Sequence, residues 1–158
     1  ERMPDMAEFT VTRAIEIHAT PERVRSLIED FRRWTEWSPW EGLDPELKRT
    51  YTGAARGLGA AYAWEGNKKA GSGTMEIVGA GDEEVRIDLR FVKPFKQAST
   101  SLFQIRPSGH GASVSWTMTG TQRGLAAIFS KVMSMDKLIG KDFEKGLAQL
   151  REVAESDS

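Results

Sequence analysis

The chain has no cysteine and only two histidines in 158 residues. The first absence removes disulfides, thiolate nucleophiles and thiol-rich metal sites together, and it fits a reducing compartment. The second leaves little for imidazole chemistry. His18 ends a strand pattern and His110 sits in a glycine turn, neither with a partner at triad or ligand spacing. A zinc site of the common kind needs three or four His, Cys or carboxylate ligands, and the sequence shows no such cluster. Charge of one sign is also missing: 22 Lys+Arg against 23 Asp+Glu give a net charge of −1. The basic stripe that marks most nucleic-acid binders is therefore absent. The pairs Arg32-Arg33 and Lys68-Lys69 read as solvated surface. No apolar run approaches the ~18 residues of a membrane span, and no signal-peptide pattern appears. No metal and no cofactor is expected. Gly57-Leu58-Gly59 lacks the third glycine of a dinucleotide loop and precedes a strand instead of a helix, so it is rejected as one.

Five tryptophans are present, and three of them, Trp34, Trp37 and Trp40, stand at a spacing of three within RRWTEWSPWEGLD. Tryptophan is large and seldom fully buried. A cluster of three needs something to cover: the core, a ligand or another protein.

The length fits one domain, and a chain of this size buries roughly 68–70% of its unfolded surface without staples. Residues 1–8 read as a flexible segment, with the domain over 9–155. Phe9, Val11, Ile15 and Ile17 alternate with Thr10, Thr12 and Glu16, the period of a half-buried strand. Arg13 interrupts the apolar side, as at a strand end or an edge. Thr20-Pro21-Glu22 marks a helix start, with a capping hydroxyl, proline at the first helical position and an acid near the positive end. Val24, Leu27, Ile28 and Phe31 follow at helical spacing. One straight helix cannot turn Trp34 and Trp37 to the same surface as Val24, and Pro39 disfavours helical geometry at Ser38. A kink or short second helix carrying Trp34 and Trp37 is expected, then an extended exit at Trp40. Strands are expected over 47–51, 60–65, 73–78, 85–91, 97–106 and 113–119, divided by turns at Gly66-Asn67, at 79–82 and at 107–111, with Pro94 ending the fourth of this run. A long helix from about Leu125 to Ala154 closes the chain. Its stripe is Ile128, Val132, Met135, Ile139, Phe143, Gly146, Leu147, Leu150 and Val153. Gly140 and Gly146, costly inside a helix by about 1 kcal/mol each, point to close packing. The layout is α+β.

The segments ATPERV (19–24), DFRRWTEWSPW (30–40), YAWEGNKKAGSGTMEI (62–77) and MDKLIGKDFEKGLAQL (135–150) resemble an uncharacterised bacterial branch of the SRPBCC superfamily, also called START-like or polyketide cyclase/dehydrase-like. The resemblance covers about residues 9–154. It implies a helix-grip fold: a curved antiparallel sheet of about seven strands around a long C-terminal helix, with two short helices after the first strand. It also implies a mostly apolar cavity for lipids, polyketides or other hydrophobic molecules, and no universal catalytic motif. Relatives in this branch often begin with a membrane anchor. A cytoplasmic location is expected unless the natural chain carries such an anchor ahead of Glu1.

Ligand pockets are concave, mostly apolar and rich in aromatics. Tyr62, Trp64, Met75, Ile87, Leu89, Phe91, Phe103, Trp116, Met118, Met135, Ile139, Asp142 and Phe143 are expected to line the space between sheet and helix, with Trp34 and Trp37 near its mouth or wall. The competing reading is that these side chains simply fill it. Three functions fit. The first is a carrier or sensor of a hydrophobic small molecule. The second is a cyclase or dehydratase using Glu65, Glu76, Asp88, Asp142 or Tyr62 as acid or base, although no catalytic constellation is visible. The third is a protein-interaction module presenting an exposed patch at Trp37 and Trp40.

Overall fold

A computed structural model describes residues 7–93, 96–122 and 135–156. Seven strands form one antiparallel sheet in the order β1-β7-β6-β5-β4-β3-β2. They are β1 (Ala7–Ile17), β2 (Lys48–Gly53), β3 (Ala60–Glu65), β4 (Ser72–Ala80), β5 (Glu84–Lys93), β6 (Gln97–Ser108) and β7 (Gly111–Gln122). Between β1 and β2 stand α1 (Pro21–Ile28) and a 3₁₀ helix (Phe31–Glu36). The C-terminal helix α2 covers Met135–Ser156. This is the expected helix-grip arrangement, with the curved sheet holding α2 against its inner face. The expected start of that helix at Leu125, with Ile128 and Val132, lies outside the described residues, as do Pro94 and the Met135 side chain.

β1 begins at Ala7, two residues before the alternation suggests, because its pairing with β7 runs from Ala7↔Gln122 to Ile17↔Ala112. Residues 7 and 8 of the segment expected to be flexible are therefore strand; residues 1–6 lie outside the description. β2 likewise runs to Gly53, beyond the expected end at Tyr51. Its pairing with β3 continues through Thr52↔Ala61 and Gly53↔Ala60. The helix start is as expected: Thr20 accepts from the Arg23 amide at 3.0 Å and Pro21 opens the helix. The 3₁₀ helix is capped by Asp30, which accepts from the Arg32 amide at 3.0 Å.

The tryptophans are explained by the end of α1. The last carbonyls of a helix have no intrahelical partner. Here Trp34 Nε1 donates to the Ile28 carbonyl and Trp37 Nε1 to the Leu27 carbonyl, both at 2.8 Å. Trp34 and Trp37 are only 5% and 1% exposed. The patch expected at Trp37 and Trp40 is thus not a surface: Trp37 caps a helix from inside, and Trp40 is partly buried against the core. Trp116 of β7 sits at the centre of this cluster, stacked on Phe143 of α2 at 3.9 Å and on Phe103 of β6 at 4.7 Å.

Polar contacts along its length hold α2. Near its C-terminal end Arg23 donates to the Val153 carbonyl at 3.1 Å, and Glu155 accepts from the His18 amide at 2.7 Å. In the middle Gln149 donates to the Trp37 carbonyl at 2.7 Å. Near its start Arg13 pairs with Asp136 at 3.0 Å and Glu144 at 2.8 Å. Arg13 is not at a strand end, as its break in the alternation allowed. It sits mid-strand on the edge strand β1, on the inner side, reaching across to the helix. Gly140 makes room for it, since a Cβ there would stand 2.1 Å from an Arg13 guanidinium nitrogen. Gly146 serves the same end beside Pro39 and Trp116.

The Arg13 hydrogen bonds hold the Asp136 carboxyl below the usual carboxylate range, against a smaller opposing effect of desolvation. A carboxyl lowered by folding stabilises the protein above its unfolded pKa, and that contribution is lost as pH falls through the folded value. Asp136→Asn is therefore expected to lower the urea midpoint at neutral pH and to leave it less sensitive to acidification through the carboxylate range. An unchanged pH dependence would show that the pair contributes nothing in solution.

Candidate functional site

Alternation along the strands puts one set of side chains on the inner face. The registers join Tyr51, Tyr62, Met75, Leu89 and Ser99 into one row across β2 to β6. The next row joins Arg49, Trp64, Gly73 and Phe91. Deeper rows carry Ile77, Ile87, Ser101 and Met118, then Val85, Phe103 and Trp116.

The expected lining residues fall into two groups. Trp34, Trp37, Ile87, Leu89, Phe103, Trp116, Met118 and Phe143 are buried in the core. Their rings pack on one another: Trp34 and Trp37 are 4.6 Å apart, and both meet Phe103 edge-on at 5.9 and 6.1 Å. Tyr62, Trp64, Met75, Phe91 and Ile139 are only partly buried against it. Four of these five, with Tyr51, lie side by side as a partly covered, mostly aromatic strip, the candidate groove, between the buried core and the edge of the sheet. Tyr51 and Tyr62 are 5.3 Å apart, Tyr62 and Trp64 6.1 Å and nearly parallel, and Trp64 meets Phe91 edge-on at 5.6 Å. Phe31 of the 3₁₀ helix joins the groove to the core, 5.9 Å from Tyr62. The glycine at position 73 lets the Trp64 indole lie against β4, and Trp64 Nε1 donates to the Ala70 carbonyl at 3.0 Å.

One end of the groove is polar. Burial pushes the Tyr62 hydroxyl up to about 12, only partly offset by the nearby Arg49 cation. Burial likewise raises Tyr51. Both phenols are therefore protonated donors across the physiological range. Arg49 is paired with Glu41, and the Arg32 guanidinium lies 4.5 Å over the Tyr51 ring.

A strap of residues 38–47 crosses this end. Trp40 Nε1 donates to Asp142 at 3.1 Å on the helix side. Asp44 accepts from the Asn67 amide at 2.8 Å on the β3–β4 side.

The sequence from 8 to 155 matches the model of a family described as polyketide cyclase / dehydrase and lipid transport. The chain belongs to that family. Members of the polyketide cyclase / dehydrase and lipid transport family have a fold suited to hydrophobic ligands. No functionally curated protein matches the sequence. Among solved structures the chain is similar to protein CV1439 from Chromobacterium violaceum, at 19% identity and TM-score 0.67, over 97% of this chain and 99% of that one. It is similar to TTHA0849 from Thermus thermophilus, at 18% identity and TM-score 0.66, over 95% and 99%. It is also similar to truncated norcoclaurine synthase from Thalictrum flavum, at 5% identity and TM-score 0.68, over the whole of both chains. At these identities the likeness is one of fold.

Within this member of the polyketide cyclase / dehydrase and lipid transport family, the candidate acids and bases are scattered. Glu65 and Glu76 are exposed, and Asp88 lies on the outer face opposite Glu76. Asp142 is taken up by Trp40. Only Tyr62 opens on the groove. Among the described residues no group of three metal-ligating side chains occurs, and no helix is long and apolar enough to cross a membrane. A pocket of about 480 Å³ is lined by Thr10, Thr100, Thr119, Asp88, Arg90 and others. Alternation turns those side chains away from α2, so this trough, which also touches Phe9, Leu89 and Ala98, is not the expected apolar cavity between sheet and helix. Four features of the groove escaped the sequence reading: Arg49, Tyr51, Arg32 and the buried hydroxyls of Ser99 and Ser101. The first two belong to β2, whose short pattern left its inner face unread.

Proposed function

We propose that the protein binds a hydrophobic small molecule, as carrier or sensor, in the groove of Tyr51, Tyr62, Trp64, Met75 and Phe91. One observation carries this reading. The inner face is closed by ring-on-ring packing over its deep half, yet leaves this aromatic row only partly covered. An indole, two phenols and a phenyl ring thus stand side by side, each only partly covered. Apolar groups that remain accessible in a concave site are what a hydrophobic ligand covers. The family description, with its lipid transport, supports the same class of ligand. The cyclase or dehydratase reading needs an inward acid or base held by an orienting partner. Tyr62, beside Arg49, is the one side chain of that kind here, and a phenol with a pKa near 12 is a poor base.

Mass spectrometry under native and denaturing conditions tests the proposal on protein taken from its own host. A discrete added mass that disappears on denaturation is expected. Trp64→Ala is expected to weaken retention by about tenfold or more, as truncation of an interface aromatic commonly does. Retention unchanged in Trp64→Ala would move the ligand elsewhere. No added mass, with no response to a panel of lipids and aromatic compounds, would mean a filled core.

A further inference from the structure

We infer that the ligand of this groove is an apolar carboxylic acid, its carboxylate seated at the Tyr51–Tyr62 end beside Arg32 and Arg49. The inference rests on the groove being the binding site and adds the chemical class of its occupant.

The groove changes character along its length. Trp64, Met75 and Phe91 offer rings and a thioether. Toward β2, in the same row as Met75, Tyr51 and Tyr62 offer two hydroxyls on rings whose centres lie 5.3 Å apart. Arg49 stands on the same face as Tyr51, opposite Trp64, and its cation acts on the Tyr62 hydroxyl. Arg32 comes from the other side, from the 3₁₀ helix, with its guanidinium 4.5 Å over Tyr51. A short polar end thus abuts a longer apolar one, the layout that matches an amphipathic molecule.

The balance of donors and charges selects its head group. Two phenols and two arginines stand at this end, and guanidinium has donors and no acceptor. The facing carboxylates are Glu41 and Asp30. Glu41 is committed to Arg49. Asp30 is turned to the Arg32 amide as a helix cap. Arg32 is in no ion pair among the described residues, its cation resting only on the Tyr51 ring. The Asp30 carboxylate keeps its charge while it caps, so these four side chains balance in charge, but a surplus of donors is left at the polar end. A carboxylate supplies acceptor oxygens for them, in the planar form that guanidinium recognises best. A primary amine would bring only further donors, and an alcohol a single neutral oxygen.

Calorimetric titration with matched acids and alcohols separates the possibilities: 2-naphthoic acid against 2-naphthalenemethanol, and dodecanoic acid against dodecanol. The acid of at least one pair is expected to bind about tenfold tighter or more, since hydrogen bonds between charged partners are roughly twice as strong as neutral ones. Arg32→Ala with Arg49→Ala is expected to close that gap, and circular dichroism checks that the variant folds. Equal affinity for acid and alcohol in the unaltered protein would overturn the head-group inference while leaving the groove in place. If neither pair binds and no added mass is found on protein from its host, the groove itself fails as the site, and this inference with it.

Discussion

Trp116→Ala is expected to unfold the protein or bring it close to unfolding. The Trp116 indole stacks on Phe143 at 3.9 Å with an interplanar angle of 8°. It also stacks on Phe103 and meets Trp34, Trp37 and Trp40 at 5.7 to 6.2 Å. These neighbours come from β6, the 3₁₀ helix, the strap and α2, so one side chain holds four parts of the fold together. They are held elsewhere too, so they cannot all collapse into the space left behind. Removing a buried tryptophan typically costs about 3–5 kcal/mol, against a whole stability of roughly 5–15 kcal/mol. A phenylalanine series sharpens the test. Trp116 Nε1 is buried without a hydrogen-bond partner, so Trp116→Phe discards a donor that was unsatisfied. Trp37→Phe instead strips the Leu27 carbonyl of its partner, and an orphaned buried acceptor costs about 1–3 kcal/mol. Urea midpoints should therefore fall further for Trp37→Phe than for Trp116→Phe. The reverse order would mean that the Trp116 indole finds a partner in solution.

Gly73→Val is expected to damage fold and site together. A Cβ at position 73 would stand 2.5 Å from the Arg90 carbonyl oxygen and 2.6 Å from the Trp64 ring. Trp64 cannot simply swing aside, because its Nε1 is tied to the Ala70 carbonyl. The backbone of β5 is equally fixed by its ladder. Overpacking of this kind costs typically about 1–3 kcal/mol. The larger effect is on the groove: the indole is driven from its place beside Tyr62 and Phe91, and ligand retention is lost. Tryptophan fluorescence should shift toward that of a solvated indole. An unshifted spectrum with normal retention would show that Trp64 does not form the floor of the site.

Much of this architecture is legible in the residues themselves, and the physical reasons are specific. Alternation in VRIDLRF marks β5, because a half-buried strand leaves a period of two. Thr20-Pro21 marks the start of α1, because capping chemistry is local. Gly140 and Gly146 announce close packing, because nothing else justifies their cost in a helix. What the residues do not reveal depends on distant chain segments. Trp34 and Trp37 suggest a wall or a mouth when read alone. Their indole N–H groups instead cap carbonyls six and ten residues earlier, which only the turn after α1 brings within reach. Arg13 suggests a strand end or an edge, and the edge is right; its role stays hidden because its carboxylate partners lie 123 and 131 positions away. The split of the lining residues into filled core and open groove is illegible for a similar reason: Trp116 and Trp64 carry the same side chain and differ only in what other strands and helices set over them.

The sheet order also dictates a sequence of events in time. β1 pairs only with β7, from Ala7↔Gln122 onward. As the chain leaves the ribosome, the first strand made therefore waits for the last. At about 5–20 residues per second, the interval is roughly 6–23 s. During it Phe9, Val11, Ile15 and Ile17 have no permanent cover, and the β2–β6 meander can form first through its short hairpins. Contacts so distant in sequence fold slowly. The threonines and Arg13 interleaved along β1 keep that waiting strand from being a continuous apolar ribbon. Threonines that look idle in the finished sheet thus have their use before it exists.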